Sequence, residues 1–155
     1  MKGVFSDVMK SYGFHLQSEG FTPGVRLDES LPPVKGDAES ISEAVINLID
    51  NAIKYSGESK YLAIATGKTD GVQYIEVEDH GIGIAREHQE KIFENFYRVS
   101  TGLVHTVRGT GLGLALVKHI MDAHGGNVRV DSVPGKGSRF RLLFPIHESF
   151  GENHG

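Results

Sequence analysis

The sequence predicts an α/β (α+β) two-layer sandwich: a mixed, largely antiparallel sheet of about five strands with three main helices on one face. Three observations predict it. Two pairs of strand-like runs, residues 61–66 with 72–79 and 127–131 with 138–146, are each joined by a short glycine-bearing connection, the mark of antiparallel hairpins. Longer stretches with apolar residues at helical spacing alternate with them. The 155 residues, 39% of them hydrophobic, suffice for one core-bearing domain, and no internal repeat divides them.

The elements follow in order. Residues 1–20 read as a helix with polar ends, carrying Val4, Phe5, Val8, Met9, Tyr12 and Leu16. Residues 25–28 alternate weakly, as a strand does, and Leu31-Pro32-Pro33 then forces an extended connector. Asp37 suits the N-cap of a helix reaching about Tyr55. Ile41, Ala44, Val45, Leu48, Ile49 and Ala52 recur along it at helical spacing, and Ile46 and Ile53 widen the apolar surface. The polar remainder is a thin stripe, Glu43, Asn47, Asn51 and Lys54 at i, i+4, i+8 and i+11. Such a helix is buried on most sides and faces something polar along one edge. Ser56-Gly57 ends it.

In the run 72–79, Ile75, Val77 and Asp79 share a face, so a carboxylate closes the core-facing row. Burying a carboxylate is costly unless it is hydrogen-bonded. Gly81-Ile82-Gly83 breaks the strand, and residues 86–96 form a short helical segment. Residues 97–110 lack periodicity and read as a loop of a length that is usually functional or mobile. Gly109-Thr110-Gly111-Leu112-Gly113 opens a second long helix to about His124, with Leu112, Leu116, Val117, Ile120 and Met121 on its apolar face and Gly125-Gly126 as its stop. Phe140, Leu142 and Phe144 alternate in the last strand. The chain divides into residues 1–20, a core of 21–147 and a tail of 148–155.

Composition excludes several function classes. There is no Cys, hence no disulfide, thiolate metal site or Cys nucleophile. Sixteen basic against 20 acidic residues give a net charge of −4, which argues against nucleic acid held by bulk electrostatics. No apolar run approaches a membrane span, and no signal peptide is visible. Glycine is in excess, 20 residues or about 13% against a usual ~7%. Ten of them fall between Gly81 and Gly137.

Those glycines suggest chemistry. Gly109, Gly111 and Gly113 precede a helix, where unpaired N–H groups and the dipole attract anions, although a glycine-rich turn also serves tight packing alone. Gly67-Lys68-Thr69 mimics a P-loop ending, but Leu62 stands where its first glycine belongs. The dinucleotide fingerprint fails because no β-α-β unit surrounds Gly109. Asp79 needs a donor, which an adenine amine or a backbone N–H would provide. Asn47 and Asn51 carry neutral oxygens able to ligate Mg²⁺ alongside phosphates, and Lys54 is long enough to reach an anion; a solvated polar face is the plain alternative. The eight His show no metal-ligand spacing. His124 reads as structural, and only His105, in the loop, stays open to a functional role.

The order of these features resembles the catalytic, ATP-binding domain of sensor histidine kinases, within the superfamily of gyrase, heat-shock chaperone and mismatch-repair ATPases. Residues 47–56, Asn47-Leu48-Ile49-Asp50-Asn51-Ala52-Ile53-Lys54-Tyr55-Ser56, resemble its N box, and Asp79-His80-Gly81-Ile82-Gly83-Ile84 its first glycine box. Phe93-Glu94-Asn95-Phe96-Tyr97-Arg98 resembles its F box, and Gly109-Thr110-Gly111-Leu112-Gly113-Leu114-Ala115 its second glycine box. His124-Gly125-Gly126 and Gly135-Lys136-Gly137-Ser138 are also similar to family segments. The likeness spans about residues 25–146.

The resemblance implies a Bergerat-type ATP-binding fold and a set of roles. Asp79 would bind the adenine amine, and Asn51 would ligate Mg²⁺, with Asn47 beside it. Lys54 would contact phosphate and Tyr55 line the pocket. Gly81 and Gly83 would shape the adenine site; Gly109, Gly111 and Gly113 would clasp the phosphates. Residues 97–110 would be a mobile lid with Arg98 at its base, and Ser138 would join the adenine-side network. Asn47, Asn51 and Lys54 are thus the catalytic candidates, ATP and Mg²⁺ the cofactors. Hydrolysing relatives carry Glu at the position of Asn47. An amide cannot take a proton from water, so transfer is favoured over hydrolysis.

The chain departs from the family in lacking the phosphoacceptor segment of the upstream dimerisation domain; His15 and His147 have the wrong surroundings. Residues 1–20 therefore read as the junction to that domain. The implied partners are the parent kinase's dimerisation and phosphoacceptor domain and a downstream response regulator, with no nucleic acid and no direct membrane contact. The implied location is cytoplasmic, membrane anchorage of the parent being left open. Two rival readings remain, a degenerate nucleotide-binding docking module and a stand-alone ATPase or serine kinase of the same superfamily.

Overall fold

A computed structural model describes residues 2–28, 30–32, 34, 36–56, 59–94 and 113–146. Its elements are α1 (Lys2–Ser18), β1 (Gly24–Arg26), α2 (Ala38–Lys54), β2 (Leu62–Thr69), β3 (Val72–Asp79), two 3₁₀ turns (Arg86–His88 and Lys91–Phe93), α3 (Gly113–Ala123), β4 (Asn127–Val133) and β5 (Gly137–Pro145). One five-stranded sheet has the order β1-β2-β3-β5-β4. Only β1 on β2 is parallel; the other three pairs are antiparallel. The mixed, mainly antiparallel two-layer architecture is the one the sequence predicts.

Alternation decides which face is core. Ile75 and Val77 on β3 and Phe140, Leu142 and Phe144 on β5 point to the helical side, where they meet Val8 and Leu16 of α1, Ile41, Leu48 and Ile49 of α2, and Val117 and Met121 of α3. The opposite face is polar. There the Arg141 Nε donates to Glu76 Oε1 at 2.7 Å, and its guanidinium lies 4.4 Å over the Tyr74 ring.

Asp37 caps α2 as expected, its carboxylate accepting the Glu39 N–H at 3.2 Å and the Ser40 hydroxyl at 2.8 Å. These bonds hold the Asp37 carboxyl below the usual range. The β2–β3 hairpin turns through Asp70 (φ 48°) and Gly71 (φ 77°), both in the left-handed region that two-residue hairpin turns require. This tight turn lets β2 run three residues beyond its expected end at 66.

Two expectations are revised. The β1 strand ends at Arg26 rather than 28, because the Asp28 N–H donates to the Thr66 hydroxyl at 2.8 Å. Within residues 86–94 the chain forms two separate 3₁₀ turns and no continuous helix. A short helix is costly to nucleate, and tertiary bonds take over: the Gln89 side-chain amide donates to the carbonyls of Ile84 (2.9 Å) and Ser132 (3.1 Å).

His124 has the structural role read from sequence. Its Nε2 accepts the Asp37 N–H at 3.0 Å and its Nδ1 lies 2.8 Å from the Ile120 carbonyl, so the ring ties the end of α3 to the start of α2. His124→Ala is expected to cost about 1–2 kcal/mol, the scale of a lost cap and bridging hydrogen bonds, read as a lower urea midpoint with unchanged slope. An unchanged midpoint would contradict this role.

Candidate nucleotide site

Three of the sequence boxes meet through two close approaches. At the C-terminal end of α2, the Tyr55 carbonyl accepts the Ile82 N–H at 3.1 Å. Gly81 packs so tightly there that a Cβ would overlap the same carbonyl oxygen. At mid-helix, a Cβ on Gly113, the first residue of α3, would lie 3.3 Å from Asn47 Oδ1. The Asn47 Nδ2 donates to the Glu43 carbonyl at 2.9 Å, which directs the amide oxygen to the α3 side. The N box thus borders the first glycine box at one end and the last glycine of the second box along its flank.

Asp79 lies where the alternation argument placed it, 5% exposed at the end of the core-facing row of β3. Its register partners are Leu62 and Ser138. The Gly81 N–H donates to its Oδ1 at 2.8 Å, so the carboxylate also caps the turn it precedes. Burial pushes its carboxyl above the usual range, opposed by the backbone amides of Gly81 and Ser138.

Behind Asp79, β4 and β5 close tightly on the loop. A Cβ on Gly83 (φ 74°) would overlap the Val133 carbonyl, and one on Gly137 the Asp79 carbonyl. The Ser138 hydroxyl lies 2.8 Å from that of Ser132, which accepts the Ile84 N–H at 2.7 Å. Ser138 therefore steadies the glycine loop through Ser132. Phe93 of the F box packs edge-on against Phe140, with ring centres 6.2 Å apart.

Lys54 is held at the edge of the stripe, its ammonium 3.0 Å from Asp50 Oδ2. Asn51 is half-buried on the same helix. Arg98, Gly109, Gly111, His105 and the lid of residues 97–110 lie outside the described residues. Ser132, Gln89 and the close approach of Gly137 leave no pattern in the sequence. Nor does the Tyr12 hydroxyl, which donates to Asp50 Oδ1 at 2.7 Å. Only Asp50 carried a visible signal, its i, i+4 spacing to Lys54.

The donor set fits a Mg²⁺–nucleotide. Among the described residues no three His, Cys, Asp or Glu side chains gather as a metal cage. A cation bound here would rest on amide oxygens and the ligand's own phosphates, a mode that suits Mg²⁺. Among the described residues no helix is long and apolar enough to cross a membrane.

Comparison with known proteins identifies the family. Residues 36–148 match the family described as histidine kinase-, DNA gyrase B-, and HSP90-like ATPase. The chain is 45% identical over 112 residues to the sensor-like histidine kinase SenX3 of Mycolicibacterium smegmatis, which covers 72% of this chain and 29% of that protein. It thus spans under a third of that relative's length. The mycobacterial sensor histidine kinase MprB superposes with a TM-score of 0.76 at 28% identity, over 94% of this chain and 93% of that one. Full-length ShkA, solved in complex with AMPPNP, superposes at 0.75 with 25% identity, over 94% of this chain and 30% of that one. The chain belongs to the histidine kinase-, DNA gyrase B-, and HSP90-like ATPase family, as a catalytic domain of the sensor histidine kinase type.

Proposed function

We propose that this domain binds Mg²⁺–ATP and transfers the γ-phosphoryl group to a histidine on a separate dimerisation domain, from which a response regulator receives it. One observation carries the reading: the N box, the buried Asp79 with its glycine loop, and the start of α3 border one another through Tyr55–Gly81 and Asn47–Gly113. The AMPPNP bound by ShkA supports the choice of adenine nucleotide. Residues 21–147 are the catalytic unit, and α1 is the junction toward the dimerisation domain. The proposed place of action is the cytoplasm.

Each residue has a role in this reading. Asp79 accepts from the adenine amine with the part of its carboxylate not engaged by Gly81. Asn51 holds the cation, with Asn47 alongside, and Lys54 meets a phosphate. Tyr55, Gly81 and Gly83 shape the base pocket, and Ser138 braces it. Gly109, Gly111, Gly113 and Arg98 serve the phosphates. Bound Mg²⁺ supplies charge neutralisation on the phosphates. Phosphoryl transfer is mainly positioning and neutralisation, so these groups suffice without a general base. The bond from the γ-phosphorus to the bridging oxygen breaks and ADP leaves with that oxygen, a P–N bond to the imidazole forms, and the imidazole proton passes to solvent.

The test is to mix the domain with a matching dimerisation domain and γ-labelled ATP. The expected product is an acid-labile phosphohistidine on the acceptor, with little phosphate released by the catalytic domain alone. ATP binding without labelling would leave the docking-module reading standing. Rapid hydrolysis by the isolated domain would favour the ATPase reading. Asn51→Ala is expected to cut labelling by at least about 100-fold, as loss of a group that places the transferring phosphate does, with the thermal midpoint nearly unchanged because the side chain is half-exposed.

A further inference from the structure

The Tyr12, Asp50 and Lys54 side chains form a chain from α1 to the polar stripe of α2. The Tyr12 hydroxyl donates to Asp50 Oδ1 at 2.7 Å, and Lys54 Nζ lies 3.0 Å from Asp50 Oδ2. One carboxylate thus holds α1 with one oxygen and the lysine with the other. Burial and the Asp50 charge push the Tyr12 phenol up, so it stays a donor. On α2, Lys54 is one turn from Asp50 and three residues from Asn51, at the border between the α1 side and the nucleotide side. Its ammonium can be shared between a carboxylate and a phosphate. Tyr12 lies outside residues 36–148, the segment matched to the ATPase family.

We propose that Asp50, fixed by Tyr12, is a parking site for the Lys54 ammonium, so that the seating of α1 on α2 sets how readily Lys54 turns to a nucleotide phosphate. Asp50 and Tyr12 are positioning residues in this scheme. The proposal rests on the reading that Lys54 contacts phosphate. Both partners of the pair are about one third exposed, 35% for Asp50 and 34% for Lys54, so the competition is modest and the lysine is released without unfolding.

A double-mutant cycle tests it, by calorimetry with Mg²⁺–AMPPNP on the full chain. Asp50→Asn is expected to tighten binding about threefold, the scale of a part-exposed ion pair. In a Lys54→Gln background the same substitution should change affinity little. Tyr12→Phe, which frees the carboxylate to turn, should give a smaller tightening that also vanishes with Lys54→Gln. A structural disturbance of α2 would act equally in both backgrounds, and that result, or weaker binding by Asp50→Asn alone, would overturn the proposal. If Lys54→Gln by itself leaves affinity unchanged, the phosphate reading of Lys54 fails instead. Tightening by Tyr12→Phe that persists without Lys54 would remove α1 from the scheme.

Discussion

Asp79→Asn is expected to weaken Mg²⁺–ATP binding by about 30-fold to 1,000-fold, or about 2–4 kcal/mol, while the fold stays intact. The carboxylate is 5% exposed and one oxygen already accepts the Gly81 N–H. An asparagine keeps that acceptor and turns the other position into a donor. In the proposed site that donor would face the adenine amine, leaving two buried donors unpaired. Stability should move the other way. The folded-state pKa of Asp79 is raised by burial, so the folded state holds the proton more tightly than the unfolded chain. Above the raised pKa the ionised group therefore costs stability, and the cost is relieved as pH falls through it. Asn removes this penalty, so the thermal midpoint at neutral pH should hold or rise. For the wild type, acidification into the raised titration range should weaken nucleotide binding before it harms the fold. Unaltered ATP affinity in the variant would show that Asp79 is only a turn cap.

Gly81→Ala is expected to be among the most damaging small substitutions in the site. The added methyl would overlap the Tyr55 carbonyl oxygen, and Ser56 Cα lies 2.9 Å from the same position. Both are backbone atoms and cannot swing aside. The glycine loop would have to leave the end of α2, losing the 3.1 Å bond from the Ile82 N–H to Tyr55. A loss of about 2–4 kcal/mol in urea unfolding is expected, as for overpacking against a rigid neighbour. Nucleotide affinity should fall too, because Asp79 and the α2 end would no longer be held in register. A variant as stable as wild type would mean that the loop has room the geometry denies it.

What was legible in the sequence was whatever a period or a cap encodes. Alternation over 72–79 placed Asp79 at the end of the core row, and the spacing of Ile41, Leu48 and Ile49 gave α2 its buried side. The close approaches were less visible. Gly137 reads as one turn glycine among several, yet it packs against the Asp79 carbonyl, a contact that exists only once β3 and β5 pair. The two 3₁₀ turns escaped notice because Gln89 and Ser132 bond across 43 positions of sequence. The order of the boxes points to a nucleotide site where each motif alone leaves packing or solvation as an equal explanation. Lys54 shows the limit of a helical wheel: the stripe placed it beside Asn51, but not which anion it pairs with.

In the proposed function the buried Asp79 carboxylate makes this an adenine site. Calorimetry in Mg²⁺ that compares ATP with GTP on the wild-type domain tests this. Guanine presents an acceptor oxygen where adenine presents an amine. ATP is expected to bind at least about 30-fold more tightly, by the cost of an unpaired buried acceptor facing a charge, and Asp79→Asn is expected to narrow the difference. Equal affinity for the two nucleotides would contradict it.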